Sequence, residues 1–132
     1  MNEASLTTQF SHWVAAHKDE LPPFIFEAKI VKLDSEKSLG LSKFQDHQLP
    51  TLRMATTTGV YWKFPDLGFQ TPCDGFFFKG EGWVVIFWYI PRKLKQCTVI
   101  RIQDFLAQLE KSGKKSIRMQ EAEEIALHIF DL

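Results

Sequence analysis

The sequence predicts a mixed α/β fold: a single domain, residues 1 to 132, in which helices flank a central mixed β-sheet. Short runs of β-branched and aromatic residues alternate with segments of helical periodicity. The run WVVIFWYI, residues 83 to 90, is apolar on both faces and therefore predicts a covered strand in the middle of the sheet. A chain of 132 residues is long enough to bury a core of its own.

The first half of the chain predicts a helix, a strand and a divided second helix. Leu6, Phe10, Trp13 and Val14 form one apolar stripe of a helix at residues 5 to 18, which the proline pair 22–23 ends before a strand at 24 to 31. Residues 33 to 41 are predicted to form a polar loop. Ser42 and Gln45 have the spacing of a capping box for a helix that extends to about Thr57. Because Pro50 cannot lie in a helix interior, we expect a first turn at 43–48 and a second segment with Pro50 in its first turn.

The second half predicts four strands and two helices. The strands are expected at about 60–64, 75–79, 83–90 and 97–102, with the sequence KGEG as a tight turn that joins the second and third into a hairpin. The helices are expected at 103–111, ended by Gly113, and at 116–130, with Ser116 as its N-cap. The aromatic residues of these strands are interpreted as core: Trp62, Trp83, Phe87 and Trp88.

Composition and charge limit the possible classes of protein. A hydrophobic content of 45% argues against disorder, and no apolar run reaches the roughly 20 residues of a membrane helix. The beginning of the chain has no signal-peptide pattern, and Cys73 and Cys97 form neither a metal motif nor a disulfide framework. We therefore expect a cytoplasmic protein without membrane association. The net charge is zero, but residues 92–118 hold eight Lys and Arg against two acidic residues, a local charge of +6. This stretch, with Arg92, Lys93, Lys114 and Lys115, fits either phosphate contact or a solvated surface.

The strand at 24–31 contains two charged side chains on one face. Glu27 and Lys29 are two positions apart, so their side chains point the same way from Cα atoms about 7 Å apart. They fit either a solvent-exposed ion pair or a metal ligand with a lysine that acts beside it.

A second carboxylate lies at the start of another predicted strand. Asp74, in TPCDGFFF, fits either a turn aspartate or a metal ligand that converges with Glu27. In YWKFPD, Asp66 is a weaker candidate ligand, and Lys63 is a candidate phosphate contact. Oxygen ligands of this kind suit Mg²⁺ or Mn²⁺.

The motif Glu27-Ala28-Lys29, followed by a short helix that contains His47-Gln48, resembles the restriction-endonuclease-like superfamily with its PD-(D/E)XK signature. The particular likeness is to Holliday junction resolvases of the RecU type and their phage relatives. The segments WVVIFWYI, TVIRIQDFL and KKSIRMQEAEEIA resemble later elements of that family, and the likeness spans about residues 7 to 126. The family's aspartate precedes E-x-K, whereas Asp74 follows it here, so the pattern resembles a permuted active site.

The resemblance implies a restriction-endonuclease-like fold and a metal-dependent endonuclease that acts on branched or single-stranded DNA. It implies Glu27, Lys29, Gln48 and Asp74 as catalytic residues, with Glu27, Asp74 and Asp66 as ligands of Mg²⁺ or Mn²⁺. Symmetric cleavage of a junction needs two active sites, which implies a homodimer. One alternative is a non-catalytic nucleic-acid-binding domain that retains the fold. Another is a small structural or interaction protein in which Glu27 and Lys29 form an ordinary surface pair.

Overall fold

The computed structural model describes residues 3–63 and 75–132, with only the backbone described for Glu3 and Lys63. Its elements are four helices, eight strands and a 3₁₀ turn at Leu41–Lys43. The helices are α1 (Glu3–Ala16), α2 (Gln48–Thr56), α3 (Ile102–Ser112) and α4 (Met119–Ile125). The strands are β1 (Phe24–Lys32), β2 (Ser38–Gly40), β3 (Val60–Lys63), β4 (Gly75–Phe78), β5 (Glu81–Ile90), β6 (Leu94–Arg101), β7 (Ser116–Arg118) and β8 (His128–Asp131).

The main sheet is mixed, with four strands in the order β1-β5-β6-β8. β1 and β5 are parallel, and their register puts Glu27 beside Val84 and Lys29 beside Ile86. The pairs β5–β6 and β6–β8 are antiparallel. The predicted mixed α/β fold, with a mixed central sheet flanked by helices, is confirmed. β5 is its buried central strand, as its apolar sequence predicts.

Helices cover both faces of this sheet, and each face contributes alternate residues of the strands to a core. On one face, Leu6 and Phe10 of α1 pack with Trp83, Val85 and Phe87. On the other face, side chains of α2, α3 and α4 pack with Val31, Val84, Ile86 and Trp88. Glu27 and Lys29 belong to this second face because side chains alternate along β1. None of the described helices has the length and apolar character that crossing a membrane requires.

A close approach between α2 and β5 fixes the position of α2 on the sheet. A Cβ atom added at Gly82 would collide with the backbone carbonyl of Leu52 in α2. The N–H of Gly80 also donates to the carbonyl of Ala55, at 2.9 Å. Glycine at position 82 therefore allows the helix backbone to lie directly on the start of β5, and this contact sets where the first residue of α2 lies.

Several predicted elements of the first half agree with the structure. α1 and β1 are at the predicted places, and Pro50 lies in the first turn of α2. The predicted turn at 43–48 and its capping box are wrong, since the chain forms the 3₁₀ turn at Leu41–Lys43 and α2 begins at Gln48. The predicted loop at 33–41 contains the strand β2, which pairs with β7.

The predicted hairpin between 75–79 and 83–90 is wrong. β4 pairs with β3 in a separate ribbon, while β5 lies between β1 and β6. The physical reason is burial. β5 is apolar on both faces, so it takes an interior position of the sheet, whereas β4 is largely exposed. The interpretation of Trp62 as core is also wrong, because its side chain in this ribbon is 55% exposed. Trp83, Phe87 and Trp88 are buried, as predicted.

The predicted helix at 116–130 is wrong, although the helix before it is right. α3 ends at Gly113, which adopts the left-handed conformation with φ of 69°. After it the chain forms β7, α4 and β8. Pairing with β2 and β6 satisfies the backbone of β7 and β8, and it buries Ile117 completely, so tertiary contacts override the local helical preference.

Candidate active site

Glu27 and Lys29 form an ion pair that is largely withdrawn from solvent. Lys29 Nζ lies 3.3 Å from Glu27 Oε1. The Lys29 side chain is only 14% exposed and that of Glu27 is 27% exposed. The pair is therefore not a freely solvated surface pair, and its charges interact through a medium less polar than water.

Gln48 joins this pair from α2. Its Nε2 donates a hydrogen bond of 2.9 Å to Glu27 Oε1, and its Oε1 accepts the backbone N–H of Gln45, also at 2.9 Å. Because one end of the amide must donate and the other must accept, these two bonds fix its orientation. Gln48 therefore holds the Glu27 carboxylate in one position. We call Glu27, Lys29 and Gln48 the carboxylate trio.

Phe44 supports the lysine from the chain between β1 and α2. Lys29 Nζ lies 5.3 Å from the centre of the Phe44 ring, within the range of a cation–π contact. Phe44 is buried among the core side chains on this face of the sheet. The ring excludes water from one side of the ammonium and attracts its charge. The sequence pattern gave no signal for this contact, because position 44 lies in a segment where a helix is predicted.

Among the described residues, the trio engages only one oxygen of the carboxylate. Among the described residues, the polar contacts of the Glu27 carboxylate both go to Oε1. Its other oxygen, Oε2, is a hard donor of the type that Mg²⁺ and Mn²⁺ prefer. The chemistry of this donor therefore fits a divalent ion that is bound through one or two carboxylates, water and phosphate oxygens.

The second carboxylate that the sequence predicts lies outside the described residues. Asp66 and Asp74 both fall in residues 64–74, and the side chain of Lys63 is likewise outside the described part. Within residues 3–63 and 75–132, no group of three or more His, Cys, Asp or Glu could hold a metal ion. The participation of Asp74 and Asp66 as ligands stays a prediction.

The basic residues of 92–118 have different surroundings in the structure. Arg92 and Lys93 follow β5 and line a cavity of about 420 Å³ together with Lys95 and Asp131. Two other members of the stretch have carboxylate partners, Arg101 with Glu81 and Arg118 with Glu121.

Lys115 lies beside the 3₁₀ turn, where its carbonyl accepts the N–H of Leu41 at 2.9 Å, and Lys114 directly precedes it.

A cleft next to Lys29 is not indicated by the sequence pattern. It has a volume of about 280 Å³ and is lined by Lys29, Ile30, Lys32, Glu36 and Lys43. We call it the lysine cleft. Lys29 and Lys32 are both on β1, but no local pattern indicates that the 3₁₀ turn brings Lys43 to the same cleft.

Comparison with protein-family models, with curated proteins and with solved structures finds no match to this chain.

Proposed function

We propose that this chain is a metal-dependent endonuclease of the restriction-endonuclease-like class, which hydrolyses phosphodiester bonds in DNA. The observation that carries the proposal is the carboxylate trio. Glu27 and Lys29 are on β1 and Gln48 is on α2, yet Gln48 Nε2 and Lys29 Nζ lie 2.9 Å and 3.3 Å from the same oxygen, Glu27 Oε1. These are three of the residues that the sequence resemblance implies for catalysis.

Each member of the trio has a distinct task in this proposal. Glu27 would hold Mg²⁺ or Mn²⁺ together with Asp74 or Asp66, the carboxylates that the resemblance implies as its partners. Gln48 keeps the carboxylate oriented, as partners of metal ligands commonly do. Lys29 places a poorly hydrated positive charge where it stabilises negative charge on the phosphate oxygens. The divalent ion, when bound, supplies further positive charge to the scissile phosphate.

Branched or single-stranded DNA is the proposed substrate class. The resolvase resemblance supports branched DNA, and symmetric cleavage of a junction would bring two copies of the chain together as a homodimer.

The deciding experiment uses Glu27→Gln with labelled four-way junction, single-stranded and duplex DNA. Mg²⁺ or Mn²⁺ is added in one series and a chelator in the other. We expect metal-dependent cleavage by the wild-type chain and none by Glu27→Gln, because the change is nearly isosteric but removes the charge that binds the metal. Glu124→Gln is the control, since Glu124 is exposed and far along the chain in α4.

Two outcomes would contradict the proposal. One is cleavage that persists in chelator, and the other is cleavage by Glu27→Gln at the wild-type rate while circular dichroism shows the fold intact. Metal-independent DNA binding without any cleavage would instead favour a non-catalytic nucleic-acid-binding domain.

A further inference from the structure

The lysine cleft and the carboxylate trio share one residue, Lys29. Lys29 lines the cleft and also contacts Glu27. A ligand that enters the cleft therefore lies next to the proposed reaction centre.

The charges of the cleft favour an anion. Three lysines and one glutamate give it a net charge of +2. Lys43 Nζ lies 3.4 Å from Glu36 Oε2, so a carboxylate oxygen already occupies the position that one anionic oxygen of a ligand would take. The Lys43 side chain is 51% exposed, and exposed pairs of this kind contribute little to stability. A phosphate oxygen can therefore replace Glu36 at Lys43 without disturbing the fold.

The size and lining of the cleft select the part of a nucleic acid that fits it. Its volume of about 280 Å³ is close to the lower end of the range of roughly 300–1,000 Å³ for small-molecule pockets. None of the described residues that line it is aromatic, so the cleft has no platform on which a base could stack. Lysine acts as a point charge that donates to any phosphate oxygen and does not distinguish one base from another. These properties fit the sugar-phosphate backbone.

We propose that the lysine cleft binds backbone phosphates of the DNA strand beside the scissile phosphate, with Lys32 and Lys43 as the contacts and Glu36 displaced from Lys43. This inference rests on the proposed nuclease function and gives the strand its path to the trio. The segment Lys114–Lys115 continues the path, because its backbone is hydrogen-bonded to the 3₁₀ turn that ends at Lys43.

The test measures DNA binding in chelator, where no cleavage occurs, by fluorescence anisotropy of labelled single-stranded and four-way junction DNA over a range of salt. For Lys32→Gln/Lys43→Gln we expect about tenfold weaker binding. We also expect the slope of log K against log salt on single strands to fall by about 1.4, since two phosphate contacts at about 0.7 each are lost. Both lysines are exposed, so the variant keeps its fold.

The matched control is Lys18→Gln/Lys37→Gln, which removes the same charge from two exposed lysines outside the cleft. Its affinity should stay within about twofold of the wild type, as expected when no phosphate contact is lost. Glu36→Gln should bind more tightly, because it removes a carboxylate that competes with phosphate for Lys43.

Equal loss of affinity in the two double variants would overturn the inference. Unchanged or weaker binding by Glu36→Gln, or the absence of measurable DNA binding by the wild-type chain, would do the same. Failure of the nuclease proposal alone would look different from failure of the cleft proposal. In that case the wild-type chain would bind DNA through the cleft but would not cleave it with Mg²⁺ or Mn²⁺.

Discussion

At the scale of single residues, the candidate site depends on how little water reaches Lys29. Its side chain is 14% exposed, against 51% for Lys43 in the same cleft. Water screens a charge less where it has less access, so Lys29 acts more strongly on a neighbouring anion than an exposed lysine does. The Phe44 ring maintains this difference because it covers one side of the ammonium.

The first prediction concerns the charge of Lys29. Lys29→Met keeps an apolar side chain of similar length against Phe44 and removes the ammonium. We expect the single-turnover cleavage rate at saturating protein to fall by about two to three orders of magnitude, the size of effect seen when one donor to a transition-state oxyanion is lost. Excess metal should not restore the rate. Lys114→Met is the control, and equal rates in the two variants would show that Lys29 has no special role.

A second prediction concerns Gln48. Gln48→Leu removes the hydrogen bond to Glu27 and leaves Lys29 as the one partner of the carboxylate among the described residues, so the carboxylate is less firmly oriented. We expect Mn²⁺ affinity and cleavage rate each to fall by about 10- to 100-fold, as for other residues that orient metal ligands. Calorimetric titration with Mn²⁺ measures the first quantity directly.

Gln45→Leu serves as the control for Gln48→Leu, because position 45 contacts Gln48 through its backbone N–H. A wild-type Mn²⁺ affinity in Gln48→Leu would contradict a positioning role for this residue.

Candidate site residues that belong to short local motifs could be selected from the sequence. Residues that reach the site only through the tertiary fold could not. E-x-K and His-Gln are patterns of neighbouring residues, so Glu27, Lys29 and Gln48 could be selected from sequence alone. Phe44 and Lys43 lie in a segment whose pattern indicated a helix, and the 3₁₀ turn that places them depends on packing between β1 and α2.

At the scale of elements, the site depends on where α2 meets β5. Gly82 permits this approach, since any side chain there would meet the backbone of Leu52. A backbone cannot rotate out of the way as a side chain can. The position of α2, and with it Gln48, is therefore sensitive to one methyl group on another element.

The third prediction follows from this contact. Gly82→Ala should lower the free energy of unfolding by about 1–3 kcal/mol, the usual cost of excess volume in a packed core. Gly40→Ala is the control: its Cβ would come no closer than 3.4 Å to another atom, and its φ is −87°. That variant should stay within about 0.5 kcal/mol of the wild type. Urea unfolding of both variants measures the difference, and equal midpoints would contradict the argument.

Elements with strong apolar periodicity were predicted well. Elements that depend on pairing between strands distant in sequence were not. The stripe of α1 and the apolar run of β5 have few alternatives once they must be buried. Residues 116–130 have helical character, yet β7 and β8 become strands because β2 and β6 offer them hydrogen-bonding partners. Those partners lie far away in sequence, where local patterns carry no information about them.

At the scale of the whole molecule, we expect the stability of the fold to depend on pH through a histidine on the face of the main sheet opposite the trio. His128 of β8 packs against Trp13 of α1, with ring centres 5.1 Å apart, and against the edge of Trp83 at 6.1 Å. Burial lowers the pKa of His128, and the charges of His17 and Arg101 lower it further, while Glu81 and Glu20 oppose this shift. The folded protein therefore favours the neutral imidazole.

The fourth prediction is a loss of stability on acidification. Because the folded-state pKa of His128 is below its ordinary value of about 6.5, the unfolded chain takes up the proton first as pH falls. The contribution of His128 to stability is therefore complete above about pH 6.5 and declines as pH falls through that value. Urea unfolding between pH 7.5 and 5, in roughly half-unit steps, should show a shallower decline for His128→Gln than for the wild type. His12→Gln, at an exposed position of α1, should keep the wild-type slope, and identical slopes in all three proteins would contradict the assignment.

The parallel pairing of β1 with β5 has a consequence for when the trio can fold during synthesis of the chain. All three residues of the trio lie within the first 48 positions, but the strand that aligns residue 27 with residue 84 is synthesised much later. Parallel pairing over such a separation is slow, because a long loop must close before any contact forms. A nascent chain that ends before position 81 carries the complete trio without the strand that sets its spacing. On the ribosome, the geometry of the carboxylate trio is therefore among the last features of the fold to form.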